Sequence, residues 1–131
     1  MSKNILLGRS HSFQCRVEEW MTAHKAGNSG VEVLSTAMLV DLVERSALAC
    51  LEGALLPGQI SVGTHIELEH RRPVPVGFLV RTEVEVALVD GARVSFAVRA
   101  FDESDAIAEG THERFIIDRE RFKAKLAEKL D

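Results

Sequence analysis

The chain has 131 residues, 46% of them hydrophobic and 27% charged, with a net charge of −4 and a pI near 5.7. That size and balance suit one globular domain spanning residues 1–131, and a general nucleic-acid binder is excluded because it would carry a basic face. No apolar run is long enough for a signal peptide or a membrane span, so the expectation is a cytoplasmic protein with no membrane partner.

Residues 12–20, "SFQCRVEEW", alternate apolar and polar and predict a first strand. "HKAGNSGVEV" reads as a loop punctuated by Gly27, Asn28, Ser29 and Gly30. In "STAMLVDLVERSALACLEGALLPG", Ser35 or Thr36 can cap a helix running to about Glu52, with Gly53 near its end. This is the most apolar segment, and the pattern predicts burial on most of its circumference. Strand signals follow over 60–70, 78–89, 92–101 and 106–117. The prolines of "RRPVPVG" end the first of these, an Asp90-Gly91 hairpin with positive φ at both positions joins the second and third, and "DESD" turns into the last. "DRERFKAKLAEKLD" predicts a charged terminal helix.

A strand, a long apolar helix and then four strands in an antiparallel meander imply an α+β hotdog fold, in which the sheet wraps around a long central helix. A domain of this size buries only about 65–70% of its unfolded surface, so burial against a second copy is expected to add to its core. Cys15 and Cys50 lack the spacing of zinc or redox motifs and read as reduced thiols, and no metal site is expected.

Gly-Thr-His occurs twice, in "GTHIELEH" (63–70) and "GTHERFIID" (110–118), but the flanking sequences differ and no duplicated unit follows. Alternation in 62–70 puts Val62, Thr64, Ile66, Leu68 and His70 on one face and Gly63, His65, Glu67 and Glu69 on the other. The first set is apolar and is expected to face the helix, with His70 ending the row and His65 pointing outward. On the helix, Asp41, Arg45 and Glu52 mark a polar edge, while Glu44 lies off it among Ala37, Val40, Ala47, Leu48 and Leu51. A carboxylate there is either a rim residue or, unless it finds a partner, desolvated with a raised pKa. Thr36 and Glu44 lie about 12 Å apart along the helix axis. His70 would have to bridge hydroxyl and carboxylate, within one chain or across a dimer interface. Arg71 and Arg72 follow His70 and suit phosphate contacts or a solvated loop. On the last strand Gly110, His112 and Arg114 share a face.

Three motifs in order, "STAMLVDLVE", "GTHIELEH" and "GTHERFIID", resemble the hotdog-fold thioesterases of the fluoroacetyl-CoA thioesterase-like branch, from about Val33 to Lys125. The resemblance implies an acyl-CoA thioesterase with Thr36, Glu44 and His70 as the catalytic group. It implies Gly63 against the acyl group and Arg114 assisting substrate binding, with His112 a further candidate. It also implies a homodimer with active sites at the interface and no metal or organic cofactor. In the fluoroacetyl-specific enzyme a longer segment before the helix supplies an aromatic lid. Here no aromatic lies between Trp20 and the helix, which points to a small or medium acyl-CoA. The competing readings are a hotdog hydratase or dehydratase, which has no need of the Thr36 hydroxyl, and a non-catalytic acyl-CoA binding module.

Overall fold

The computed structural model describes residues 5–131. Its elements are β1 (Ser10–Arg16), a short 3₁₀ turn (Glu19–Met21), α1 (Thr36–Leu51), β2 (Gln59–His70), β3 (Leu79–Asp90), β4 (Arg93–Phe101), β5 (Ala106–Asp118) and α2 (Arg119–Leu130). The strands form one antiparallel sheet in the order β1-β3-β4-β5-β2, and the sheet packs around α1 in the expected α+β hotdog arrangement.

The four-strand meander needs correction. Only β3, β4 and β5 follow one another across the sheet, whereas β2 pairs with β5 and β1 with β3. The connection over residues 71–78 allows this: its Pro75 bridges Val33, and β3 enters the sheet beside the opposite edge strand β1. Strand β2 is therefore an edge strand of twelve residues. The predicted strand 12–20 also runs too far. It ends at Arg16, because Met21 N–H turns back onto the Glu18 carbonyl and closes the 3₁₀ turn. The β3–β4 turn is centred on Gly91-Ala92 rather than Asp90-Gly91: Asp90 still pairs with Arg93, and Gly91 alone has positive φ, at 62°. A glycine at the first central position is the usual solution for a two-residue hairpin.

Ser35 caps α1 by accepting from Met38 N–H at 3.0 Å, which leaves the Thr36 hydroxyl at the first helical position free for another partner. The helix buries Leu39, Leu42, Val43, Ser46, Ala47, Cys50 and Leu51. These are spaced at three and four residues, so one face enters the core. The opposite stripe (Ala37, Val40, Glu44 and Leu48) is exposed or half-buried, with Leu48 48% exposed. Burial on most of the circumference is thus not reached within one chain. Leu39 and Leu42 pack with Val17, Leu34, Val80 and Ile107 toward the helix start. Val43, Ala47 and Leu51 pack with Val84, Val86, Phe96 and Val98 toward its end. Between these clusters Ser46 Oγ lies 2.5 Å from Thr82 Oγ1 and donates to the Leu42 carbonyl, so the buried hydroxyls satisfy one another.

Candidate active site

Local irregularities in two strands decide what faces α1. The β2–β5 register shifts between Gly63 and His65, so Thr64 is an inserted residue and alternation reverses across it. Ile66, Leu68 and His70 face inward as expected, and on the other side of the bulge it is Gly63, not Val62 or Thr64, that faces the helix. A Cβ added at Gly63 would collide with Glu44 Oε2 and would lie 3.2 Å from Arg114 Nη1 and 3.3 Å from His112 Cε1. The absence of a side chain there makes room for the carboxylate. A second shift, between Val86 and Leu88 in β3, turns Leu88 outward, 44% exposed, and places Val89 against the core.

The predicted catalytic residues fall into two groups. At the start of α1, Thr36 Oγ1 and His70 Nδ1 are 2.9 Å apart. The other ring nitrogen, His70 Nε2, is buried and has no hydrogen-bond partner among the described residues. Burial pushes the His70 imidazole below its ordinary value of 6.5, against the opposing effect of a backbone contact at Arg72, so the ring is a neutral base at pH 7.

Two helical turns away, Glu44 Oε2 sits 3.5 Å from Arg114 Nη1. Glu44 has the partner that the helix alone did not reveal. Its side chain is 43% exposed, while that of Arg114 is 5% exposed. The Arg114 guanidinium is fixed from below, with Nε donating to Ser61 Oγ at 2.9 Å, Nη2 to the Ser61 carbonyl at 3.1 Å and Nη1 approaching His112 Nε2 at 3.2 Å. Burial lowers its pKa and the Glu44 charge opposes that. His112 and Arg114 share the inner face of β5, as alternation predicted. Arg114 lies beneath Glu44 rather than at an open surface. Glu44, Gly63 and His112 line one pocket of about 260 Å³ with Val40, Thr64, His65 and Ile66. Larger concavities on the outer sheet face and beside the end of α1 contain none of the predicted catalytic residues.

His65 is half exposed on the outer face, 3.9 Å from Glu67. Arg71 is held by Glu69 at 2.9 Å and Glu109 at 2.7 Å, so its charge is engaged within the sheet, whereas Arg72 is exposed and makes no ion pair among the described residues. Ser61 escaped the sequence reading. The signal for it was the glycine inside a strand, which marks bulges: a bulge after Gly63 turns the face shared by Ser61 and Gly63 inward. No group of three or more histidine, cysteine or acidic side chains suited to a metal occurs among the described residues. Burial raises the pKa of both cysteines, which keeps them as thiols.

Comparison with known proteins agrees with these motifs. The family model described as fluoroacetyl-CoA-specific thioesterase matches residues 17–120. The fluoroacetyl-CoA thioesterase of Streptantibioticus cattleyicolor is 39% identical over 98 residues, covering 75% of this chain and 70% of that protein. A solved structure of a point mutant of the fluoroacetyl-CoA thioesterase in complex with acetyl-CoA superposes with a TM-score of 0.90 at 30% identity, covering 97% of this chain and 100% of that one. A hot-dog-like protein from Thermanaerovibrio acidaminovorans gives a TM-score of 0.92 at 24% identity, covering 98% and 96%, a likeness of fold. With the family model covering most of the chain, the protein belongs to the fluoroacetyl-CoA-specific thioesterase family and is a hotdog-fold thioester hydrolase.

Proposed function

We propose that the protein hydrolyses a small or medium acyl-CoA thioester to the free acid and CoA, with Thr36 and His70 of one chain acting together with Glu44 of a second. The observation that carries this reading is the split site. His70 is bonded to Thr36 at the exposed start of α1, while Glu44 stands at the open pocket beside Gly63.

Simple symmetry supports the pairing. Val40 lies midway between Thr36 and Glu44, and Ile66 and Glu67 lie midway between Gly63 and His70. A two-fold axis near these midpoints would set Thr36 and His70 of one chain opposite Glu44 and Gly63 of its partner, the reciprocal contact of an isologous interface. The same axis covers the open α1 stripe, with its half-exposed Leu48, and the free edge of β2, both of which are costly to leave in water.

In such a site the acyl carbonyl rests against Gly63, where no side chain blocks the backbone. His70 takes the proton of the attacking group, either the Thr36 hydroxyl or a water, and returns it to the departing CoA sulfur. The partner's Glu44, brought up to the exposed Thr36–His70 pair, stabilises the imidazolium by its charge. Neither step calls for a metal or organic cofactor. Arg72, exposed beside His70, is the arginine open to CoA phosphates. The 22–34 segment carries no aromatic to close over the acyl group. Its backbone is tied down by Thr22 pairing with Leu34 and by Gly30 N–H donating to His24 Nδ1, which suits a small or medium acyl chain and the cytoplasmic CoA pool. The hydrogen-bonded Thr36 hydroxyl favours hydrolysis over hydration. Thiol release from a panel of acyl-CoAs is the test. Release of CoA from acetyl to medium chains is expected; measurable binding without release from any of them overturns the hydrolase reading in favour of a binding module.

A further inference from the structure

We infer that His112, in its Nδ1–H tautomer, is a positioning residue that locks Arg114 beneath Glu44 and thereby sets where the Glu44 carboxylate stands.

His112 is 1% exposed. Its Nδ1 lies 2.8 Å from the His65 carbonyl oxygen and its Nε2 lies 3.2 Å from Arg114 Nη1. A carbonyl oxygen can only accept, so Nδ1 must carry the hydrogen. A guanidinium can only donate, so Nε2 must offer a lone pair. Both neighbours therefore select one neutral tautomer. A second proton would set two donors against each other beside a buried cation. Burial, which lowers the His112 pKa most, and the Arg114 charge both oppose it, against the His65 carbonyl, Glu44 and Glu113. The ring also stacks on Phe96, with centroids 6.1 Å apart and planes 24° from parallel, which favours this orientation.

What this does for the site follows from the donors of Arg114. Ser61 occupies Nε and Nη2, and Nη1 is shared between His112 and Glu44. Without the imidazole lone pair, Nη1 keeps one N–H in a dry setting without an acceptor. The guanidinium can then satisfy it only by turning toward Glu44 and dragging the carboxylate off its place at Gly63. The outer-face residue His65 thus contributes through its backbone and not through its ring. His112 itself acts through Arg114.

This inference rests on Glu44 being part of the thioesterase site. The test compares His112→Leu, which removes both nitrogens, with His112→Gln, whose amide can donate to the His65 carbonyl and accept from Arg114. Expected for His112→Leu is a fall in kcat of about tenfold or more with KM little changed, and loss of the protected Arg114 Nη1–H signal in ¹⁵N NMR. His112→Gln is expected to restore both. Equal kcat in the leucine and glutamine variants at matched thermal stability, or an Arg114 signal unchanged in His112→Leu, overturns the inference. Absence of turnover in the wild-type protein, with the Arg114 signal still lost in His112→Leu, overturns the hydrolase reading and leaves the clamp standing.

Discussion

Replacing Gly63 by alanine separates the function of the site from the stability of the fold. The added methyl would fall on Glu44 Oε2, which must withdraw by about 1 Å to reach the 3.4 Å of ordinary contact. Arg114 Nη1 and His112 Cε1, at 3.2 and 3.3 Å, need give only a few tenths of an ångström. Because the clash falls on the far end of a flexible side chain that is 43% exposed, the fold absorbs it. Alanine in place of a strand glycine also gains roughly 0.5–1 kcal/mol from the unfolded chain. The melting temperature is therefore expected to stay the same or rise slightly. Activity is another matter: displacing a reacting group by 1 Å costs about 100-fold, or about 2.7 kcal/mol of transition-state stabilisation. Steady-state thiol release from acetyl-CoA and a thermal melt on the same preparation measure both. Gly110→Ala supplies the contrast, since its methyl would collide with the backbone carbonyl of Glu67, which cannot swing away, and that variant is expected to be strongly destabilised. Wild-type turnover in Gly63→Ala would refute the placement of Glu44.

Two further outcomes follow from the same geometry. His70→Ala is expected to abolish turnover, while His65→Ala leaves it nearly unchanged because only the His65 carbonyl serves the site; equal losses in kcat/KM would contradict the division of the β2 faces. The pH dependence has a definite sign. Burial holds His70 and His112 below 6.5 in the folded protein, so on acidification the unfolded chain takes up protons first. Their contribution to stability is present above about pH 6.5 and is lost as pH falls through the lower folded values. Urea midpoints between pH 5 and 8 check this, and midpoints that do not fall on acidification would contradict it.

How far the sequence reached can be judged from particular residues. A helix capped by Ser35 or Thr36 and running to about Glu52, and the existence of four later strands, were legible, because hydrophobic period and caps are local signals. So was the inward row Ile66, Leu68, His70. Strand order was not, since pairing β2 with β5 depends on long-range contacts that periodicity does not encode. The error in the β2 faces has a plain cause: simple alternation fails across a bulge, and the insertion at Thr64 turned Gly63 inward in place of Val62. Gly63 was named for its closeness to the acyl group while being assigned the outer face, and the bulge resolves that conflict. The ion pair from Glu44 to Arg114 was out of reach because the two lie 70 positions apart and no short motif links them.

The central claim, that one active site draws Thr36 and His70 from one chain and Glu44 from another, is tested most directly by mixing inactive subunits. Glu44→Gln and His70→Ala proteins, each inactive alone, are denatured together and refolded as a mixture, and thiol release is measured. If the site spans two chains, each mixed dimer holds one intact site. With random pairing half the dimers are mixed, and activity should return to about a quarter of the wild-type value per chain. If the three residues act within one chain, no dimer contains an intact site. The mixture would then stay as inactive as its components, which would contradict the account.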